Sequence, residues 1–276
     1  MLAYLAALAA AVLAGIWVAS TGASALVTAA VADVAATVVI FAASLIFRNA
    51  SFYDAYWSVV PPVLFAFWIW VGSGWDLRTA LAMLVVLAWA VRLTANWARG
   101  WEGLSHEDWR YEDLRQKSGA AYPLVNFFGI HFFPTVMVFL GCLPLWALTR
   151  SYEPANWLDA VALVVGLGSV YLSWVADEAL RRFRADRADA SKLLADGIWA
   201  RCRHPNYLGE IGFWFSLAGF GLAAGAGIWV TTGALAMLGM FVYITIPMID
   251  NRMLARKPAY ADYHARTPML IPKPWS

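Results

Sequence analysis

Arg201, Arg203, His204, Asn206 and Glu210 crowd the stretch ARCRHPNYLGE, at the opening of an apolar run that continues IGFWF. Pro205 suits the first position of a helix, because it has no N–H to leave unpaired there. A helix start concentrates unpaired N–H groups and partial positive charge, which favours phosphate, and the neighbouring guanidiniums strengthen that field. Asn206 and Glu210 fall one turn apart on the same face, with Gly209 leaving room beside them. Those two side chains suit the hydroxyls or the amide of a polar organic group. The stretch reads as a socket for an anionic cofactor with a hydrogen-bonding end. The plainer reading is a basic loop and a helix cap with an interfacial Glu.

Three further segments place polar groups in apolar surroundings. In RLTANWARGW, Arg92, Asn96, Arg99 and Gly103 recur at helical spacing; Arg92 and Asn96 are expected to wall a polar cavity, whereas Arg99 snorkels to the headgroups. In SWVADEALRRFR, Asp177, Arg181 and Arg184 follow at i, i+4 and i+7 on a helix that runs on past the membrane. An acid followed by two guanidiniums could grip a ribose hydroxyl and phosphates, or could be a self-paired face on the positive side. In SFYDAYW, Asp54 either closes a capping box with Ser51 or is a buried carboxyl able to donate a proton. Asp33 is a further intramembrane acid, with no partner assigned. The four histidines show no metal-ligand spacing, the two cysteines supply no disulfide framework, and no GxGxxG or GxSxG occurs. No metal and no nucleic-acid partner is expected.

The elements that must position these groups are membrane helices. Only 14% of the 276 residues are charged and 62% are hydrophobic, far from the balance of soluble domains. Runs long enough to cross a bilayer are predicted at 2–20, 24–47, 58–73, 77–98, 124–149, 157–177, 205–224 and 228–249. Lys and Arg, Arg187 among them, collect on one side, with only Arg78 and Arg150 on the other. That bias predicts cytoplasmic loops and a cytoplasmic C-terminus. The opening run lacks a basic n-region, so a retained first helix is expected. The chain is expected to be an all-α polytopic membrane protein forming one helical domain over 1–276. Residues 1–30 would supply an extra N-terminal helix and 177–276 the cofactor-binding region. The oligomeric state is not legible.

GIWARCRHPNYLGEIGFW together with the tail KPAYADYHARTPMLIPKPW resembles the C-terminal region of the steroid 5α-reductase family. SFYDAYW and the segment RLTANWARGW followed by GLSHEDWRY resemble its bacterial membrane-reductase branch. The likeness runs from about residue 30 to the end. It implies a seven-helix bundle in a bacterial inner membrane that reduces the Δ4 double bond of a 3-oxo steroid, or a similar lipophilic enone, with NADPH. The resemblance carries cofactor binding onto Asp177, Arg181, Arg184, Lys192, Asn206, Gly209 and Glu210, and onto Asp250, Asn251, Arg252 and Tyr263 of the tail. Arg201, Arg203 and His204 belong to the same socket by their position.

The family holds its substrate carbonyl with a Glu and a Tyr. Asp54 stands at the Glu position and Trp89 at the Tyr position, and Trp can donate an N–H hydrogen bond without delivering a proton. Tyr53 or Tyr56 could substitute as donor. The implied mechanism has NADPH on the cytoplasmic side, Asp54 on the carbonyl oxygen, and a steroid-like substrate entering from among the membrane lipids. RHP-x-Y-x-G segments also serve S-adenosylmethionine in isoprenylcysteine-type methyltransferases, which gives a second enzymatic reading. A non-catalytic sterol or lipid carrier is the third.

Overall fold

The computed structural model describes residues 2–186 and 192–274; Arg187 lies outside them. The described residues are helical, with no strand among them. The apolar runs become α1 (Leu2–Ser20), α2 (Ala25–Ile46), α3 (Phe52–Val71) and α4 (Leu77–Gly100). Two short helices follow, α5 (Trp109–Ser118) and α6 (Tyr122–Val125), and a π-helical turn, Asn126–Phe132, leads into α7 (Phe133–Leu148). Then come α8 (Trp157–Asp186) and α9 (Pro205–Ala223). A second π turn, Phe241–Thr245, joins α10 (Thr232–Met240) to α11 (Ile246–Arg256), and α12 (Tyr260–Arg266) closes the series.

Seven helical stretches among the described residues are long and apolar enough to cross a membrane: α1 to α4, 109–148, 157–185 and 228–256. The chain is a polytopic helical membrane protein. Of the eight predicted spans, 205–224 is the one whose helix is less apolar than these seven stretches. Asn206, Glu210 and four glycines lower the apolarity of α9, and it packs against α4, α7, α8 and α10. The third span begins at Phe52, six residues before its predicted start, and carries Pro61 and Pro62 within the helix. Asp54 therefore sits in the first turn of α3. The predicted capping box does not form, because the Ser51 hydroxyl accepts the Asp108 N–H at 2.9 Å instead. Gly103 lies beyond the end of α4 with φ +98°, off the face predicted for it.

In lipid, helix association depends on close packing of small residues rather than on hydrophobic burial. The α8–α9 pair follows that rule. Ala162, Gly166, Ser169 and Ser173 line one face of α8, and Gly209, Gly212, Ser216 and Gly219 line the opposing face of α9. A Cβ on Gly209 would meet the Ser173 hydroxyl and lie 2.6 Å from the Ser169 carbonyl, so only glycine admits this approach. Next to this seam an aromatic core fills the bundle: Trp89 stacks flat on Phe213 at 4.4 Å and meets Trp214 edge-on at 5.5 Å. The two helix interiors that carry Arg92 and Glu210 are thereby fixed against each other.

Candidate functional site

The close α8–α9 contact brings Asp177 beside the start of α9, and α4 supplies a cation to both. Arg92 donates to Asp177 Oδ2 at 3.0 Å and also pairs with Glu210. Asn96 and Asn206 donate to the two Asp177 oxygens, each at 3.2 Å. Ser173 anchors the Asn206 carbonyl at 3.0 Å. Arg92 and Asn96 thus share an inward face, as their spacing predicted, while Arg99 is exposed.

Above this core lies a cavity of about 510 Å³. Asp177, Arg184, Arg203, His204, Asn206 and Tyr263 of the predicted site line it, together with Asn96, Arg110, Trp199, Tyr207, Lys257 and Tyr260. One wall is therefore amide and carboxylate, another is aromatic, and cations stand at Arg110, Arg184 and Lys257. The Nε of Arg203 is buried without a hydrogen-bond partner, an unsatisfied donor at the cavity wall.

A second network closes the cavity from the tail. Asp250 accepts from Arg203 at 3.0 Å, from His204 Nε2 at 2.9 Å, and from the Tyr260 hydroxyl. The backbone N–H groups of Arg203 and His204 donate to the Pro268 and Met269 carbonyls at 2.9 and 3.2 Å. Tyr263 donates to the Trp199 carbonyl at 2.6 Å. Burial raises the Tyr260 and Tyr263 phenols, and the Asp250 carboxylate raises Tyr260 further. Both therefore act as donors, not phenolates.

Other predicted residues lie off the cavity lining. Arg181 points outward and pairs with Glu178 at 2.5 Å, because one residue in the i, i+4, i+7 series turns to solvent as the helix leaves the bundle. Lys192 contributes its carbonyl to Lys257 Nζ at 2.7 Å. Arg201 holds the Lys273 carbonyl at 2.9 Å through its Nε. Asn251 is exposed, and Arg252 covers the Trp109 ring at 3.8 Å, tying α11 to α5. Gly209, Glu210 and Asp250 stand behind the lining as supports.

Each predicted catalytic residue has a partner of its own. Trp89 is committed to Glu210, donating its indole N–H at 2.7 Å; Tyr53 donates to or accepts from Thr135 at 2.9 Å. Asp54 takes a different partner, the Tyr111 hydroxyl at 2.5 Å. No spacing signal links Asp54 to Tyr111, since they lie on α3 and α5. Arg110, held by Asp108 at 2.8 and 3.0 Å, lines the cavity and lies over the Tyr111 ring at 5.5 Å. Burial works to raise the Asp108 carboxyl, but the Arg110 guanidinium outweighs it and holds the group below its usual range. Glu107, which accepts the Ala50 N–H and pairs with Arg115 at 2.9 Å, is raised because burial prevails there. Among the described residues, no His, Cys, Asp and Glu cluster could hold a metal ion.

The family model described as "Protein of unknown function (DUF1295)" matches residues 40–267. The uncharacterized protein C594.04c of Schizosaccharomyces pombe is 26% identical over 264 residues, covering 85% of this chain and 76% of its own length. No solved structure gives a significant match. With most of its length matched, the chain belongs to the DUF1295 family, a steroid 5α-reductase-like family.

Proposed function

We propose that this DUF1295 member, of the bacterial membrane-reductase kind, reduces the Δ4 double bond of a 3-oxo steroid or a similar lipophilic enone inside the membrane, using NADPH. The reading is carried by one juxtaposition: a cavity with cations, amides and an unsatisfied Arg203 Nε is lined by Arg110, whose guanidinium lies over the phenol ring of a part-buried carboxyl–phenol pair. The excess of basic residues in the loops and C-terminus that form the cavity supports a cytoplasmic position for them.

The residues present fit a dinucleotide. Arg184, Lys257 and Arg110 suit its phosphates, Asp177, Asn96 and Asn206 suit hydroxyls or an amide, and Tyr207 and Trp199 offer ring faces. The bound cofactor supplies a hydride for the β-carbon of the enone. Asp54, protonated, would donate to the carbonyl oxygen while the Tyr111 hydroxyl donates to Asp54 Oδ1, a clamp that strengthens as negative charge develops on the carbonyl. Glu210 and Arg92 keep Asp177 and Asn96 in place. The aromatic core around Trp89 excludes water from behind.

The test compares ligand-dependent thermal stabilisation of detergent-purified protein by NADPH, NADH and S-adenosylmethionine. Enone-dependent NADPH oxidation is then followed with 3-oxo-Δ4 steroids. NADPH is expected to stabilise the wild type and Asp54→Asn alike, with oxidation lost in Asp54→Asn. Stabilisation by S-adenosylmethionine in place of NADPH would transfer the site to methyl-transfer chemistry and end the reductase reading.

A further inference from the structure

Asp33 is 5% exposed in the middle of α2, inside the apolar bundle. Its Oδ1 accepts the Tyr56 hydroxyl at 2.5 Å, while its Oδ2 has no partner. Among the described residues no cation pairs with it. The groups that face it are Tyr53 and Tyr56 from α3, Cys142 from α7 and, beyond Tyr53, the ring of His131 in the π turn.

From Asp33 a row of hydroxyls crosses three helices. The Tyr56 oxygen lies 3.4 Å from Thr37 Oγ1, which lies 3.0 Å from Thr135 Oγ1, and Thr135 Oγ1 lies 2.9 Å from the Tyr53 hydroxyl. The two threonines also have resting acceptors in the Asp33 and His131 carbonyls, each at 2.9 Å. A hydroxyl can donate and accept at once, so the row can transmit a proton in either direction by reorienting. The π turn positions its far end, since it sets His131 one turn before Thr135. π turns recur at functional sites.

The cluster is also short of protons. His131 Nδ1 is 3.0 Å from the Asn126 carbonyl, which makes it the protonated nitrogen and leaves Nε2 a bare acceptor. Nε2 has no partner, and neither has Asn126 Oδ1 or Asp33 Oδ2. Three buried acceptors without donors are unusual for a purely structural network. An unpaired carboxylate in the bilayer is costly and is relieved by taking up a proton.

We propose that Asp33 is a proton-holding acid and that Tyr56, Thr37, Thr135 and Tyr53 relay its proton to the reaction site beside Asp54. The delivery step rests on the reductase reading. Saturating the enone adds a hydride, supplied by the reduced nicotinamide cofactor, at the β-carbon and a proton at the α-carbon. The Tyr53 O–H bond breaks as the α-C–H bond forms. The phenolate regains its proton from Thr135, Thr135 from Thr37, Thr37 from Tyr56, and Tyr56 from the Asp33 carboxylic acid. Asp33 ends as a carboxylate and is reprotonated from the medium between turnovers. Tyr53 is the catalytic residue of this relay; the others act through it.

Two measurements on the full-length protein in nanodiscs test this. Infrared spectroscopy of wild type and Asp33→Asn reads the proton site without any turnover. A deuterium-sensitive carboxylic-acid C=O band, absent in Asp33→Asn and shifted in Tyr56→Phe, is expected; identical spectra for wild type and Asp33→Asn overturn the proposal. Single-turnover NADPH oxidation with an enone reads the relay. Thr37→Val and Thr135→Val are expected to slow the proton step about 10²-fold, the low end of what a positioned proton donor contributes. They should raise the solvent deuterium isotope effect, and Thr135→Ser should restore both. Unchanged turnover and isotope effect in both valine variants overturn the relay. If wild type reduces no enone, the reductase reading fails, and the infrared result still decides whether Asp33 holds a proton.

Discussion

Arg92→Met removes the cation that joins α8 and α9 beneath the cavity. In the native protein Arg92 pairs with Asp177 at 3.0 Å and with Glu210, and its side chain is 7% exposed. After the substitution Asp177 keeps two amide donors at 3.2 Å and Glu210 keeps the Trp89 N–H at 2.7 Å. Both carboxylates lose their counter-charge. Breaking a buried pair from one side costs about 3–5 kcal/mol, because the stranded charge stays desolvated. At about 2–4 °C per kcal/mol for a chain of comparable size, the midpoint of thermal unfolding in detergent should fall by roughly 6–20 °C. The same argument requires recovery when the stranded charges are removed. Glu210→Gln added to Arg92→Met should regain about half of the loss, and a further Asp177→Asn should regain most of the rest. Gln keeps an oxygen for Trp89, so the hydrogen bond survives the charge change. A triple variant no more stable than Arg92→Met would refute the charge argument and leave lost packing as the cause.

Two further expectations concern stability. Arg78 is 1% exposed and donates to Asp159 at 2.8 and 3.0 Å and to the Glu153, Pro154 and Ala223 carbonyls; Arg78→Met should cost about 3–5 kcal/mol in an unfolding titration. Asp159→Leu added to it should recover only the charge component, since three carbonyls remain unserved. Gly209→Ala should cost about 1–3 kcal/mol by overpacking against α8, read as a lower unfolding midpoint, whereas Gly168→Ala, with open space around its Cβ, should be neutral.

Helix faces were readable from the chain, and partners were not. Period and hydropathy placed Arg92 with Asn96 and Asn206 with Glu210, because side chains three or four apart share a face whatever surrounds the helix. Which face meets which depends on packing between distant segments. Asp54 and Tyr111 are 57 positions apart and Trp89 and Glu210 are 121 apart; no local spacing encodes either pair. Hence the chain did not reveal that the Trp89 N–H is committed to Glu210. The outward pairing of Arg181 with Glu178 was hidden for another reason: on a helix leaving the membrane, every arginine looks equally suited to phosphate, and only the bundle decides which one turns outward. The π turn that sets Thr135 and His131 has no signature in residue type at all. The lower apolarity of α9, by contrast, was visible from the start in its Asn, Glu and glycines.

The strapping of the tail onto residues 201–204 has a consequence for how the protein comes into being. The apolar helices emerge from the ribosome first and have what they need to insert and pack. The cavity does not, because Tyr260, Tyr263 and the carbonyls of Pro268, Met269 and Lys273 that hold its wall come after the last of those helices. A chain stopped short of them would be membrane-embedded with an open, unbraced wall. The cavity wall is thus completed late, after the membrane helices that carry its base have already been made.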